Sequence, residues 1–151
     1  MTTISMEMKG TDKLMRSMAG RSKKLSSRKQ TNAMAVTLVD RWIMKNFQTE
    51  GQLAMGGTGW KPLSPITIWH RRRKGGKIPG RVMILQDTGT MRQRWTHIAD
   101  NDVAIIRSGV DYARSHQEGE GVPMRRILPL EKQIKPELMK IYGKFVSAAI
   151  R

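Results

Sequence analysis

The sequence feature that most constrains the fold is one long amphipathic segment. Between residues 27 and 48, apolar side chains such as Val36, Ile43 and Phe47 recur at the roughly 3.6-residue spacing of an α-helix, and Gly51 follows. This spacing predicts a helix over residues 27–48. Because such a helix has one apolar stripe, other elements must cover that stripe to form a core.

The middle of the chain carries strand and turn patterns. Alternating apolar residues over 95–99 and 103–108, separated by Asp100-Asn101-Asp102, predict a β-hairpin. The short apolar stretch over residues 82–85 predicts a strand or an extended lead-in, and residues 122–130 predict a further extended segment.

Shorter helices are predicted from their start and stop residues. Ser64 before Pro65 is a favourable helix start, and the short helix that follows ends in a run of cations. Asp111 is placed to cap a second short helix, which a Gly-Glu-Gly sequence closes. Pro136 is a favourable entry into an amphipathic C-terminal helix.

The N-terminal part predicts three separate features. Residues 4–9 alternate as in a half-buried strand, Thr11 and Asp12 begin a short helix that Gly20 ends, and residues 21–30 form a basic connector. The whole chain is predicted to be one α+β domain over residues 1–151, in which residues 1–27 precede a body over 28–151. In that body a small antiparallel β-sheet packs with two to three α-helices and long interlocking loops.

The charge balance restricts the partners. A net charge of +16 attracts polyanions or acidic protein surfaces through its long-range field.

There is no cysteine, which excludes disulfides and thiolate metal sites, and no apolar run approaches the length of a membrane span. The sequence is typical of a soluble protein made in the bacterial cytoplasm, with no membrane partner.

Residues 84–91, "ILQDTGTM", contain the Asp-Thr-Gly of an aspartic protease half-site. Such enzymes need two carboxylates that share one proton, and the chain has no second copy of the motif. Arg92 and Arg94 follow and favour the ionised form of Asp87. The segment is therefore interpreted as a turn, in which Asp87 or Thr88 caps the next element and Gly89 supplies backbone freedom.

No other catalytic, cofactor or metal pattern is present in the sequence. The three histidines, at positions 70, 97 and 116, have no partner at helical metal-ligand spacing, no serine lies in a Gly-x-Ser-x-Gly elbow, and the glycine-rich stretches lack the ending of a phosphate loop. His116, with Gln117 beside it, is expected to satisfy local backbone groups. We therefore expect neither enzyme activity nor a cofactor.

The strongest remaining signal is a basic run at the end of the short helix. It consists of Arg71, Arg72, Arg73 and Lys74. These side chains can neutralise phosphates, and Trp60 and Trp69 are placed to stack on bases. Cations at a helix end also complement the helix dipole, or form ion pairs across a subunit interface.

Four motifs follow one another over residues 57–130, before the C-terminal helix: "GTGWKPLSPIT", "ILQDTGTMRQRW", "VAIIRSGVDYARSHQEGEG" and "PMRRILPL". In this order they resemble the phage virion morphogenesis family, which includes Mu-like and P2-like tail-completion or neck proteins. Each motif is short, and their fixed order carries the resemblance over residues 28–150.

The resemblance implies a non-enzymatic structural protein of a tailed phage, a neck or tail-completion subunit in a ring of identical copies at the head–tail junction. A hexamer is expected, placed between connector and tail tube or terminator proteins, with genomic DNA passing through its lumen. A tail terminator and a head-closure (stopper) subunit are alternatives in the same class, and a free basic nucleic-acid-binding protein is an alternative of another class. The motif residues assigned to subunit or partner contacts are Trp60, Lys61, Pro62, Leu63, Tyr112, His116, Gln117, Arg125 and Arg126.

Overall fold

The computed structural model describes residues 19–25, 27–73 and 82–150. The helices with defined bounds are α1 (Lys29–Gln48), α2 (Pro65–Arg73), α3 (Thr90–Gln93), α4 (Ala113–Glu118) and α5 (Glu131–Ile150). The strands are β1 (Trp95–Ala99) and β2 (Ala104–Ser108), and they form an antiparallel sheet. The predicted α+β class with a small antiparallel sheet is confirmed.

The long amphipathic helix forms where it was predicted and carries the core. α1 begins at Lys29 instead of residue 27 and ends at Gln48, and it contacts both strands and α5. The rings of Phe47 and Trp60 meet edge to face, with centroids 5.4 Å apart and planes at 79°. The buried cluster around them consists of Ile43, Phe47, Trp60, Met91, Ala113 and Ile127.

The predicted hairpin is confirmed, and its turn is held by one carboxylate. Trp95 pairs with Ser108 at the open end of the hairpin. Asp100 Oδ1 accepts hydrogen bonds from the backbone N–H groups of Asp102, at 2.8 Å, and Val103, at 2.9 Å. These bonds, Val103 first, lower the pKa of Asp100, so the turn is stabilised by the ionised carboxylate.

The same turn caps the N-terminus of α1. The Lys29 N–H donates to Asn101 Oδ1 at 3.1 Å, and Asn32 Nδ2 donates to the carbonyl of Asp100 at 2.7 Å. Asn32 Oδ1 also accepts from the Tyr142 hydroxyl at 2.8 Å. Asn32 therefore joins the hairpin, α1 and α5 through polar contacts beside the apolar core.

Part of the N-terminal prediction is wrong. Residues 19–25 are helical, so Gly20 does not end a helix and residues 21–25 are not a connector. An interior glycine costs a helix only about 1 kcal/mol relative to alanine, and the Arg, Lys and Leu residues that follow Gly20 are good helix formers. The predicted strand over residues 4–9 and the helix start at Thr11 or Asp12 lie outside the described residues.

The C-terminal helix starts earlier than predicted. α5 begins at Glu131, and Pro136 lies inside the helix instead of at its entry. Gln133 explains the early start, because its Oε1 accepts the Leu130 N–H at 2.8 Å, as the third residue of a capping box does. Gln133 Nε2 also donates to the carbonyl of Leu53 at 2.7 Å, which fixes this end of α5 to the body.

Two local predictions need correction near the motifs. Residues 82–85 form no strand; the chain turns there, and Leu85 has a left-handed backbone with φ 58°. Bonds from Ile84 N–H to Glu50 Oε1, at 3.1 Å, and from Gln86 Nε2 to the Phe47 carbonyl, at 3.0 Å, hold this turn. α4 has no side-chain cap, so Asp111 does not cap it; the glycine stop is confirmed by its left-handed C-cap.

The segment over residues 122–130, predicted to be extended, forms neither helix nor strand and joins no sheet. Its backbone is instead bound by side chains, chiefly that of Asn46 on α1, which has no exposed surface. Asn46 Nδ2 donates to the carbonyls of Arg126, at 3.0 Å, and Ile127, at 3.3 Å, and its Oδ1 accepts the Ala54 N–H at 3.1 Å. One buried amide thus ties three parts of the chain together.

Replacing Asn46 with alanine is expected to lower the free energy of unfolding by about 2–4 kcal/mol, because it leaves buried carbonyl and N–H groups without partners. Urea denaturation measures the change. Gln48→Ala on the same helix, where the side chain is exposed, is the control and is expected to change stability by less than about 0.5 kcal/mol. Equal effects of the two variants would contradict the role given to Asn46.

Candidate functional site

Most of the residues assigned to partner contacts meet at one junction inside the molecule. The junction is formed by the loop over residues 60–63, α4 and the segment over residues 125–128. Trp60 is only 4% exposed, and its Nε1 donates to the Arg126 carbonyl at 2.8 Å. Gly51, with φ 88°, lets the backbone lie against this indole, because a Cβ at that position would overlap the ring.

Gln117 supplies the second part of the junction. Its Oε1 accepts the N–H groups of Ile127, at 2.8 Å, and Leu128, at 3.0 Å. The segment is also tied to α4 through the backbone, since the Arg125 N–H donates to the His116 carbonyl at 2.7 Å. The sequence-based expectation that this pair of α4 residues satisfies local backbone groups is confirmed for Gln117.

Arg125 closes the junction from the other side. The residue is only 6% exposed, its Nε donates to the Lys61 carbonyl at 3.1 Å, and its Nη2 donates to the Pro62 carbonyl at 3.4 Å. The motif residues therefore brace one another within the chain. Lys61, Pro62 and Tyr112 are nevertheless exposed to solvent.

A basic groove of about 480 Å³ opens beside the junction. One wall is the start of α2, and the other is formed by α4 and the segment that carries Arg125. Its lining includes Lys61, Leu63, Thr67, Arg71, His116 and Arg125. We call this cavity the basic groove below. It brings Arg71, which was assigned to polyanion contact, together with several of the residues assigned to partner contact.

Local structure explains how α2 presents Arg71 to the groove. Ser64 caps the helix, with its Oγ accepting the Thr67 N–H at 3.3 Å, so the predicted Ser-Pro helix start is confirmed. One turn later, Arg71 Nη1 donates to the Met83 carbonyl at 3.0 Å, and its Nε lies 3.7 Å from Asp87 Oδ1. These contacts turn Arg71 towards the body of the protein.

The charge of the groove is compensated only in part, because Asp87 pairs with Arg71 but not with Arg125. No carboxylate of the described residues lies within ion-pair distance of Arg125. Burial lowers the pKa of Arg125, and the positive charge of Arg71 lowers it further. Burial and then the charge of Arg125 lower the pKa of His116, while a hydrogen bond to the Pro123 carbonyl opposes the shift. The His116 ring is therefore neutral at pH 7.

The Asp-Thr-Gly sequence forms the turn predicted for it. Gly89, with φ 76°, is the N-cap of α3, so neither Asp87 nor Thr88 takes the cap position predicted for it, although the Thr88 hydroxyl accepts the Thr90 N–H at 3.3 Å. Met91 is buried in the core, and Asp87 faces Arg71. Within the described ranges, His, Asp and Glu side chains form no cluster able to hold a metal ion, and no helix is long and apolar enough to span a bilayer.

The basic run divides between two faces of α2. Arg71 faces the groove, whereas Arg72 is exposed and Arg73 lies over the Trp69 ring, with its guanidinium carbon 5.1 Å from the centroid. Lys74 lies outside the described residues. Trp69 is exposed and available for stacking, but the expectation that Trp60 stacks on a base is wrong, because the core requires its indole.

Sequence reasoning missed Asn46 and Thr67. Asn46 had a usable signal, since it lies between Ile43 and Phe47 on the apolar stripe of α1, where a polar side chain must find buried partners. Thr67 had none, because its place in the groove depends on how α2 packs.

The comparison with family models identifies the family of the chain. The model of the phage virion morphogenesis family matches residues 6–142. No curated protein and no solved structure matches the chain. The matched range contains the junction, the basic groove and α2.

The depressed pKa of His116 predicts a pH-dependent stability. The unfolded chain binds more protons at this ring than the folded one, so stability is greatest above the ordinary pKa of 6.5 and falls as the pH drops below it. We expect His116→Gln to reduce the fall in Tm between pH 7.5 and pH 5.5. The control is His70→Gln, at an exposed position, and a fall as large in His116→Gln as in the unmodified protein would contradict the assignment.

Proposed function

Because the chain belongs to the phage virion morphogenesis family, we propose that it is a structural virion protein of a tailed phage, a neck or tail-completion subunit that forms a ring at the head–tail junction. The observation that carries this proposal is the family match, which spans residues 6–142. We propose no catalytic role, since the groove offers cations and a neutral imidazole but no arranged nucleophile and base.

Unburied apolar surface on two helices supports assembly into a ring. α2 buries none of its residues, and Ile66 and Trp69 are 65% and 52% exposed. α5 leaves Met139, Val146 and Ile150 exposed as well. Large apolar side chains grouped on one helix are typical of protein contact surfaces. Identical subunits that meet through two different surfaces close into a ring when the rotation per subunit allows it.

The proposed partners follow from position and charge. A hexameric ring at this place contacts the head–tail connector on one side and tail tube or terminator proteins on the other. A charge of +16 favours acidic partner surfaces, and the exposed cations of α2 are available to DNA that passes through the lumen.

Electron microscopy of purified particles, combined with mass spectrometry of their proteins, tests the proposal. We expect the chain in the virion, as a ring at the head–tail junction. A ring on the tail side that ends the tube would favour the terminator alternative, and one that seals the connector would favour the stopper. Absence of the chain from particles would refute the structural role.

Substitution of the exposed α2 residues tests their part in the ring. Ile66→Ser with Trp69→Ser is expected to raise the concentration needed for self-association at least about tenfold, because exposed apolar side chains of this size contribute most when a partner covers them. Tm is expected to change little, since neither side chain is buried in the subunit. Sedimentation measures association, and Val103→Ser at an exposed hairpin position is the control. Unchanged association would exclude α2 from the interface.

The high net charge favours one function of another class, a free nucleic-acid-binding protein. That function predicts DNA binding that weakens by orders of magnitude over a few-fold rise in salt, and a weaker salt dependence in the double variant Arg72→Gln, Arg73→Gln. The double variant Lys135→Gln, Lys140→Gln removes the same charge from α5 and serves as the control. No DNA binding at low salt would remove this alternative.

A further inference from the structure

We infer that the basic groove is a receptor for a carboxylate side chain carried by an acidic segment of a partner protein, seated between Arg71 and Arg125. The inference deepens the proposed function, on which it rests for the partner's place in the virion. It concerns a site that the family match does not describe.

The first reason is the buried cation itself. Arg125 is nine-tenths buried, and the described residues offer its guanidinium two backbone carbonyls but no carboxylate. Its Nη1 has no acceptor in the described part of the chain and is left for the groove. A buried charge is costly unless it is paired, and the described residues leave this cation without a carboxylate counter-ion.

The second reason is an orphaned nitrogen in the same wall. His116 lines the groove, and its Nδ1 is buried without a hydrogen-bond partner among the described residues. Protonation of this ring is disfavoured by burial and by Arg125 while the groove holds no anion. A carboxylate in the groove would lie near this ring and favour its protonated form through its negative charge. Binding should therefore raise the pKa of His116 towards its ordinary value.

The opposite wall supplies a second fixed cation. Arg71 is oriented by the Met83 carbonyl, at 3.0 Å, and its partner Asp87 lies at 3.7 Å with about half of its side chain exposed. Because the carboxylate of this pair is half exposed and 3.7 Å away, the coupling is weak, and Arg71 can contact a second carboxylate at little cost. Two guanidinium groups from different elements suit the planar, bidentate recognition of a carboxylate.

Shape and net charge decide which kind of partner fits. The groove holds about 480 Å³ and has apolar walls at Leu63, Pro62 and Leu85, which suit the aliphatic stem of an acidic side chain and exclude a duplex. A second copy of this chain has 28 Lys and Arg residues against 12 Asp and Glu residues, so it offers few carboxylates that its own cations do not compensate. An acidic segment of a different protein is therefore the favoured occupant.

Peptide binding to the full-length protein tests the inference. The probe is fluorescein-labelled hexaglutamate at fixed ionic strength, measured by anisotropy. Arg71→Gln is expected to weaken binding at least tenfold, whereas Arg72→Gln, the same charge change at the next residue of α2, is expected to weaken it less than twofold. Equal losses would show that the peptide binds a diffuse basic surface and would overturn the inference.

Two further measurements distinguish binding in the groove from an effect of total charge and from a loss of folding. Arg125→Lys keeps the net charge but removes the planar guanidinium fork, and it is expected to weaken binding at least tenfold with Tm followed in parallel. If that variant fails to fold, the pKa of His116, measured by NMR with and without hexaglutamate, still decides. An increase in the pKa of His116 when the peptide is added supports the inference, and an unchanged pKa overturns it. A thymidine oligonucleotide of equal length serves as a competitor of the labelled peptide. The inference would be overturned in favour of nucleic acid if the oligonucleotide binds more tightly than hexaglutamate, and if this binding is lost in Arg71→Gln but kept in Arg72→Gln.

Failure of this inference is distinguishable from failure of the proposed function. If phage carrying Arg71→Gln assemble and contain the chain at normal levels, the inference about the groove is overturned and the structural role is left intact. Absence of the unmodified chain from particles would refute the structural role even if the groove binds the peptide as expected.

Discussion

The structure depends on the hydrogen bonds that side chains make with the backbone of the segment over residues 125–128, which belongs to no helix or strand. This segment passes through the core without a neighbouring strand, so its buried N–H and C=O groups need partners from elsewhere. Asn46, Trp60 and Gln117 supply them from α1, the glycine-rich loop and α4. Because each of these side chains belongs to a different part of the chain, the same bonds that satisfy the segment fix these parts relative to one another.

That arrangement explains how a chain with only 38% hydrophobic residues builds a core. Buried polar groups take the place that a larger sheet would occupy, and around this segment they are paired with one another. It also explains why the family-like motifs contain polar residues. Gln117 and Arg125 brace the junction, and the basic groove exists because Arg125 must lie there to bind the carbonyls of the loop over residues 60–63.

Sequence patterns predicted the elements whose signals are local. Apolar periodicity located α1, alternation located the hairpin, and Ser64 with Pro65 located α2. Pro136 was misleading, because its preference for a helix start competes with the cap that Gln133 makes, and the cap decided where α5 begins. The groove could not be predicted from the sequence, because Arg71 and Arg125 are distant in the chain and line the same cavity only after the elements pack. Two of the motif residues assigned to partner contacts, Trp60 and Arg125, are buried in the body of the protein, which the sequence did not show.

Hydrogen exchange of the segment tests the central claim most directly. If side chains hold it as a strand would, the amides of Arg125, Ile127 and Leu128 exchange only on global unfolding, while that of Gly121 exchanges freely. In Gln117→Ala, Ile127 and Leu128 should lose protection, and Arg125, bound by the His116 carbonyl, should keep it. Rapid exchange of Ile127 and Leu128 in the unmodified protein, comparable to that of Gly121, would contradict the account.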